Sequence, residues 1–263
     1  MAVLLDAIGQ SGVDHNPFFN GQQVIEKHNA SGGNIAVLAA LSYSAADLAL
    51  WPFIDIPVTL DQLTRTVKYG GTSMVSLGVA QWGTTGALMN AWTEVFALLG
   101  VAPGEQDVQA NVWGGVDSGR TLRLETVSYT GVASIGTPVI TNGTGTTMAQ
   151  SATVATNGRN VGVWGSRSGL YIPSGSTVAQ RYLSNDVAGL LIGDIVGTGT
   201  SQTLSANRQN SGPWGGIVIP LQAADTVFSA DVFVADVPWI APKFNRLPRT
   251  GGLRRNVFKV PAH

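Results

Sequence analysis

The chain has 263 residues, of which 44% are hydrophobic and only 12% are charged. Soluble domains usually carry about 25% charged residues, so Ser, Thr, Asn, Gln and backbone groups must form most of the polar surface. With 15 basic and 16 acidic residues, the net charge of -1 excludes a global field that attracts nucleic acid or an anionic membrane. The absence of Cys excludes disulfides, thiolate metal sites and Cys nucleophiles.

The N-terminal segment MAVLLDAIGQSG does not resemble a secretory signal peptide, because it lacks a basic region and carries Asp6 inside a short apolar run. No apolar stretch reaches the roughly 18 residues that a membrane helix requires. We therefore expect a chain that folds in a cytoplasm and does not insert into a membrane. Its small net charge gives weak self-repulsion, which suits a subunit of an assembly.

Eight runs of strand length are separated by clusters of Gly with Asn, Ser, Thr or Pro. They are NIAVLAALSY, SMVSLGVAQW, WTEVFALL, DVQANVW, TLRLETVSY, NVGVWGS, LLIGDIV and WGGIVIPL. Residues 35–43 are almost continuously apolar, which predicts a central strand covered on both faces or, alternatively, a short helix. A short helix is also predicted over residues 45–51, where Pro52 ends it.

Several of these runs alternate apolar and polar residues, as a strand with one buried and one solvent-facing side must. In TLRLETVSY, this pattern places Leu122 and Leu124 opposite Arg123 and Glu125, which are expected to face solvent. The segment TNGR, residues 156–159, predicts a type I′ turn, because Asn-Gly tolerates positive φ values. That turn is expected to join SATVA and NVGVW as a hairpin.

Many short strands with closely spaced turns predict an all-β fold, an antiparallel β-sandwich that is jelly-roll-like, over residues 1–238. Residues 239–263 differ, because they contain Pro, a TGG segment and six basic residues but no acidic residue. We predict an extended C-terminal arm that docks in a partner groove of an assembly. Its contact residues are Trp239, Lys243, Phe244, Arg246, Arg249, Arg254, Arg255, Phe258 and Lys259.

The usual motifs of Ser hydrolases, nucleotide-binding loops, zinc proteases and EF-hands are absent from the sequence. His15 and His28 could bind zinc with Asp14, but histidines at such spacing are more often surface or loop residues. Glu94 is the candidate acid for a glycosidase if burial raises its pKa. A structural ion pair at the edge of a semi-exposed face is favoured, because one acid is not a catalytic dyad. We therefore expect no catalytic residue, no metal and no cofactor.

Trp82, Trp113 and Trp214 lie next to Gly-rich turns, where a ligand could reach them. Exposed tryptophans stack on sugar rings or anchor protein interfaces, so these three are candidate ligand-binding residues. The alternative is burial in the core, because a sandwich of this size needs large side chains between its sheets.

The order of the segments carries a resemblance. GGNIAVLAALSY, RTVKYGGTSMVSLG, WTEVFALLGVAPGEQDVQANV, LETVSYTGVASIG, QSATVATNGRNVGVWGS and GPWGGIVIPL follow one another over roughly residues 32–221. This succession resembles a β-sandwich domain in minor tail proteins of actinobacterial siphophages, mycobacteriophages especially, with its TYGG-x-x-M hairpin, aromatic strand, Pro-Gly turn and late W-G strand. The chain departs from that pattern by inserting SAADLALWPFIDIPVTLDQL and by ending in the basic arm.

The resemblance implies a virion component, located in the tail, to which no catalytic residues are assigned. We expect a structural or adhesive minor tail protein, not an enzyme, that forms a homo-oligomer, with a trimer favoured, and contacts other tail subunits. Its loops are expected to project toward the host envelope, where a cell-wall glycan is a candidate partner and nucleic acid is not. The alternatives are a carbohydrate-binding module, a capsid decoration protein and, last, a cell-envelope glycoside hydrolase acting through Glu94.

Overall fold

A computed structural model of the chain describes residues 1–14, 21–45, 60, 63–82, 91–114, 120–167 and 169–224. In these ranges all strand pairs are antiparallel and there is no α-helix, so the predicted all-β, sandwich-like fold is confirmed. None of the same residues forms a helix long and apolar enough to cross a membrane. The predicted arm and residues 46–51 of the predicted helix lie outside the described residues, whereas Ala45 ends a strand.

The described residues form 17 strands, and all eight runs identified in the sequence are among them. In chain order the strands are β1 (Leu4–Ile8), β2 (Gly12–Asp14), β3 (Gly21–Ala30), β4 (Ile35–Ala45), β5 (Thr64–Tyr69), β6 (Thr72–Ser73), β7 (Val75–Trp82), β8 (Ala91–Leu99), β9 (Gly104–Trp113), β10 (Arg120–Thr130), β11 (Val132–Ile135), β12 (Val139–Thr153), β13 (Arg159–Ser166), β14 (Leu170–Tyr171), β15 (Ala179–Ser184), β16 (Gly189–Val196) and β17 (Ser201–Ala223).

These strands form three sheets. Sheet A has the order β1-β10-β4-β8-β7, with β2 also paired to β10, and sheet B has the order β3-β9-β5-β6. Sheet C has the order β11-β17-β13-β16-β15, with β12 and β14 also paired to β17. One hydrophobic core lies between sheets A and B, a second lies between sheets A and C, and a third involves only sheet C.

Strand β4 is covered on both faces, as its apolar sequence predicts. Ile35 and Leu41 belong to the core shared with sheet B, whereas Ala36 and Leu38 belong to the core shared with sheet C. Because successive side chains of a strand point to opposite sides, a strand in the middle layer is usually apolar on both faces. The alternative of a short helix over these residues is therefore wrong.

The YGG hairpin of the resemblance is present in the structure, whereas the hairpin predicted at TNGR is not. Gly70 and Gly71 have φ values of 53° and 83° and join β5 to β6 as a tight hairpin. A turn is present here, with the Gly158 amide donating to the Ala155 carbonyl at 2.9 Å, but it is not the predicted type I′ turn, because Asn157 has a positive φ of 70° and Gly158 does not. The hairpin predicted there is wrong, because β12 and β13 do not pair with each other and both pair with β17.

The polar face predicted for β10 is buried. Arg123 is 8% exposed and Glu125 is 0% exposed, although both were expected to face solvent. Sheet C covers this face, and Arg123 forms an ion pair with Asp186 and donates to the Tyr182 hydroxyl at 2.9 Å. The alternation was identified correctly, but a third layer was not foreseen.

Gly165 on β13 marks a close approach of sheets A and C. A Cβ at this position would overlap the Thr93 hydroxyl and lie 2.9 Å from Nε1 of Trp82. We expect Gly165→Ala to lower the free energy of unfolding by about 1–3 kcal/mol, because overpacking forces neighbours apart. Urea denaturation measures the loss. Gly136→Ala, whose added methyl would lie 3.2 Å from Pro220, should cost less, and the reverse order would contradict this packing.

Candidate functional site

Trp82 and Trp214 are core residues, which corrects their assignment as ligand-binding residues. Trp82 is 2% exposed and donates from Nε1 to the Thr93 hydroxyl at 3.0 Å, and Trp214 is 6% exposed. Glycines make room for both indoles, since a Cβ on Gly215 would lie 2.6 Å from Trp82 and one on Gly143 would lie 3.0 Å from Trp214. The nearby glycines therefore let these rings pack against backbone instead of exposing them to a ligand.

Trp113 is different, because its side chain is 51% exposed at the end of β9. Its cross-strand partner on β3 is Gly21, and a Cβ on that glycine would overlap three atoms of the six-membered indole ring. One face of the ring therefore rests on the β3 backbone, an arrangement in which an aromatic side chain covers a strand glycine. Of the three predicted tryptophans, this one remains a candidate contact residue.

Trp113 lies at one end of a set of outward-facing polar side chains on sheet B. Side chains two residues apart share a face, so Asn111 follows Trp113 along β9. The strand register places Gln23 of β3 and Thr66 of β5 on either side of Asn111. Gln23 Nε2 donates to Asn111 Oδ1 at 2.8 Å, which fixes the orientation of both amides.

The same face continues with Gln109, which lies between Ile25 of β3 and Lys68 of β5. Gln109 Nε2 donates to Asn111 Oδ1 at 3.4 Å. We call this surface the sheet B platform. It consists of Trp113, Thr64, Gln23, Asn111, Thr66 and Gln109.

Charged side chains lie beyond the platform on the same face. Lys27 is paired with Asp107 at 2.9 Å and with Glu105 at 3.4 Å, and all three side chains are about half exposed. The hydrogen bond to Asp107 raises the pKa of Lys27, so this amine stays charged. Its positive charge is balanced by the nearby carboxylates of Asp107 and Glu105. The platform itself therefore carries amides, hydroxyls and one aromatic ring, with the 53% exposed Ile25 and Lys68 on either side of Gln109 at its border.

Glu94 forms a buried ion pair, as the sequence interpretation favoured, but its predicted position on a semi-exposed face is wrong. Its Oε2 accepts from Arg65 Nε at 2.6 Å and its Oε1 accepts from Ser76 Oγ at 2.6 Å. Glu94 is 3% exposed, and the Arg65 guanidinium lies 5.6 Å from the ring centre of Trp92. Both carboxylate oxygens are occupied by these structural partners.

A cluster that the sequence analysis missed lies where β1 and β2 leave a gap along β10. β1 pairs with residues 127–130 and β2 pairs with residues 122–124, so Glu125 and Thr126 fall between them. Glu26 and His28 of β3 lie on the Thr126 side of β10, whereas Glu125 points to the other side but is near enough for the charge of Glu26 to affect it. All four side chains are at most 4% exposed. We call these four residues the acid cluster.

The acid cluster contains polar atoms that lack hydrogen-bond partners. They are both carboxyl oxygens of Glu26, both carboxyl oxygens of Glu125, and Nε2 of His28. His28 Nδ1 lies 2.8 Å from the Thr126 hydroxyl. The backbone of Gly9 closes over the cluster, because its amide donates to the Thr126 carbonyl at 2.8 Å and a Cβ there would lie 2.9 Å from Glu26 Oε1.

Burial makes the acid cluster uncharged near neutral pH. It raises the pKa of Glu26 to about 8, while the nearby Thr126 hydroxyl and Gly12 amide oppose this rise without making well-aligned hydrogen bonds. Burial, together with the charge of Glu26, raises the pKa of Glu125 to about 9. Burial lowers the pKa of His28 to about 4. Both acids are therefore protonated and the histidine is neutral at pH 7.

His28 thus belongs to the acid cluster, with its ring 6.2 Å from that of Tyr69 in an edge-on arrangement. Within the described ranges no group of three His, Asp or Glu residues is arranged to hold a metal ion. His15 and the side chain of Asp14 lie outside the described residues, so the predicted zinc alternative is untested for them.

A surface cavity of about 320 Å³ lies between the β5–β6 hairpin and the segment that follows β8. It is lined by side chains that include Tyr69, Thr72, Leu98, Val101 and Gln106. None of the residues predicted to bind a ligand lines it, and burial raises the pKa of Tyr69, which therefore stays protonated.

Comparisons with known proteins give no match: no family model, no curated protein and no solved structure is similar to the chain. The resemblance to minor tail proteins therefore rests on the quoted segments alone. All nine predicted contact residues of the arm lie outside the described residues, and their role stays a prediction.

Proposed function

We propose that this chain is a structural and adhesive virion component, most simply a minor tail protein of an actinobacterial siphophage. The order of the strand segments over residues 32–221 supports the proposal, because it resembles the sandwich domain of that group. The three-layer stack is the physical observation that carries it. Its middle sheet is packed on both faces, which makes a rigid body suited to carrying contact loops.

Exposed apolar side chains at the edges of sheet A support the proposed homo-oligomer, for which we favour a trimer. Val75 on the edge strand β7 is 67% exposed, and Leu4 on the opposite edge strand β1 is 55% exposed. Edge strands with apolar side chains are usually covered by another element or a neighbouring subunit. Tail subunits around these edges are the partners that we propose.

The location of the chain in the particle tests the proposal. We expect antibodies against the chain, detected by gold labelling in electron micrographs, to mark the tails of the phage that encodes it. Labelling of the head would instead favour a capsid decoration protein. Its absence from purified particles would contradict a virion role altogether.

We expect deletion of residues 239–263 to leave a folded, soluble protein that no longer joins particles. The reason is that the basic, Pro-containing arm gains contacts only in a partner groove, where those contacts offset the entropy lost on ordering it. Circular dichroism checks the fold, and mass spectrometry of purified virions measures incorporation. Deletion of residues 261–263 alone is the control, since it removes none of the predicted contact residues. Normal incorporation of the longer deletion would contradict the docking role.

A further inference from the structure

We infer that the sheet B platform binds a neutral polysaccharide. This inference rests on the adhesive part of the proposed function and names the class of ligand at one contact face. It depends on the exposed ring of Trp113, on the row of amides beside it and on the position of the charged groups.

Trp113 supplies a flat apolar surface held in place by the sheet. One face of its indole lies against Gly21, and the side chain still has 51% of its surface exposed. A sugar ring presents C–H groups on its flat sides, and such a surface packs well on an exposed aromatic ring. Because the β3 backbone already supports the ring, little conformational freedom remains to be lost when a ligand binds.

The amides next to Trp113 can bind the hydroxyl groups of a sugar. Each hydroxyl of a sugar both donates and accepts hydrogen bonds, and the side chains of Gln23, Asn111 and Gln109 carry both kinds of group. Their mutual hydrogen bonds of 2.8 Å and 3.4 Å orient the amides in advance. The four residue steps from Trp113 to Gln109 span about 14 Å, which is long enough for a short stretch of a sugar chain.

The charge distribution favours a neutral ligand. Lys27 lies beyond the platform and is neutralised by Asp107 and Glu105, which leaves Lys68 as the cation at the platform border. Nucleic acid and acidic polymers are held mainly by several Lys or Arg side chains, which the described residues of this face do not offer. A protein partner usually covers a larger apolar centre than one ring and one isoleucine, Ile25, set apart among amides.

The test uses the full chain in native gels that contain xylan, mannan, galactan or arabinan, with polygalacturonate as a charged comparison. We expect at least one neutral polysaccharide to retard the protein. Trp113→Ala should weaken the affinity for it by about tenfold or more, and Trp113→Phe by less. The double substitution of Gln23→Ala with Asn111→Ala should also weaken binding. Tyr171→Ala, which removes a 39% exposed aromatic ring from sheet C, is the matched control and should bind normally.

Equal retardation of wild type and Trp113→Ala, or retardation only by polygalacturonate, would overturn the inference, as would no retardation by any neutral polysaccharide. Unchanged thermal unfolding of Trp113→Ala shows that a loss of binding is not a loss of fold. Measuring whether the chain is incorporated into phage particles shows whether the virion role fails independently of sugar binding. A chain present in tails that binds no sugar leaves the virion role standing, whereas a sugar-binding chain absent from particles leaves only the platform.

Discussion

Asp194→Asn should lower the free energy of unfolding by about 3–5 kcal/mol, because it leaves two arginines without their counter-charge. Asp194 is 1% exposed, and its carboxylate accepts from Arg159, from Arg181 at 2.6 Å and 3.0 Å, and from the Tyr129 hydroxyl at 2.9 Å. Burial is the main cause, and the negative charge of Asp194 the second, of a pKa of Tyr129 well above its usual range. The Tyr129 hydroxyl therefore keeps its proton. Arg159 also donates to the Val3 carbonyl at 3.2 Å, which ties the segment before β1 to the network.

Urea denaturation at constant pH measures the effect of Asp194→Asn. Asp107→Asn is the matched control, because it makes the same chemical change in the exposed pair with Lys27 and should cost at most about 1 kcal/mol. A loss below about 1 kcal/mol for Asp194→Asn would mean that the network is not held together by this carboxylate. Unfolding followed by tryptophan fluorescence, with similar denaturant slopes for all variants, makes the comparison valid.

The protein should become less stable as the pH rises from about 6.5 to about 8, because the acid cluster holds protons that the unfolded chain has lost. The pKa of Glu26 is raised from 4.5 to about 8 and that of Glu125 from 4.5 to about 9. Between these values the folded state binds more protons than the unfolded state, so rising pH costs up to about 1.4 kcal/mol per pH unit for each carboxyl.

His28 acts in the opposite direction and in a lower window. Its pKa falls from 6.5 to about 4, so between these values the unfolded state binds the extra proton and stability from this group rises with pH. Above pH 6.5 this contribution is constant. The slope expected at neutral and alkaline pH therefore belongs to Glu26 and Glu125.

Glu125→Gln tests this assignment, because a glutamine has the shape of a protonated glutamic acid and does not titrate. We expect the variant to resemble wild type near pH 5 and to be more stable than wild type at pH 8.5. Thermal unfolding across this pH range measures the difference. Glu105→Gln, at a half-exposed acid paired with Lys27, is the control and should leave the pH dependence unchanged. An unchanged slope in Glu125→Gln would contradict a protonated, buried acid at this position.

Alternation in the sequence predicted strands well because it reports which side of a strand is buried. It did not predict which sheet each strand joins, because partners distant in the chain decide that. The segment WTEVFALLGVAPGEQDVQANV illustrates the difference, since its first strand, β8, lies in sheet A and its second, β9, in sheet B. The TNGR hairpin failed for the same reason, because the later strand β17 took both predicted partners.

The alternation of inward-facing and outward-facing residues also predicts part of the candidate sites. In DVQANVW the apolar residues face inward, so Trp113 must share the outer face with Gln109 and Asn111, and this signal was available. Proximity to glycine, by contrast, did not separate Trp113 from the buried rings. The acid cluster was missed because Glu26 and His28 look like surface residues of β3, although they share the parity of the buried residues Val24 and Ala30.

The position of β17 has a consequence for synthesis of the chain. β17 pairs with β11, β12, β13 and β14, all of which precede it in the sequence. Until it has been synthesised, β13 lacks its strand partner on one side, and Ile217 and Ile219 are missing from the core that sheets A and C share. We therefore expect this half of the molecule to fold only after β17 has been synthesised, slowly and through pairings that are distant in the chain, with a need for protection from aggregation in the interval.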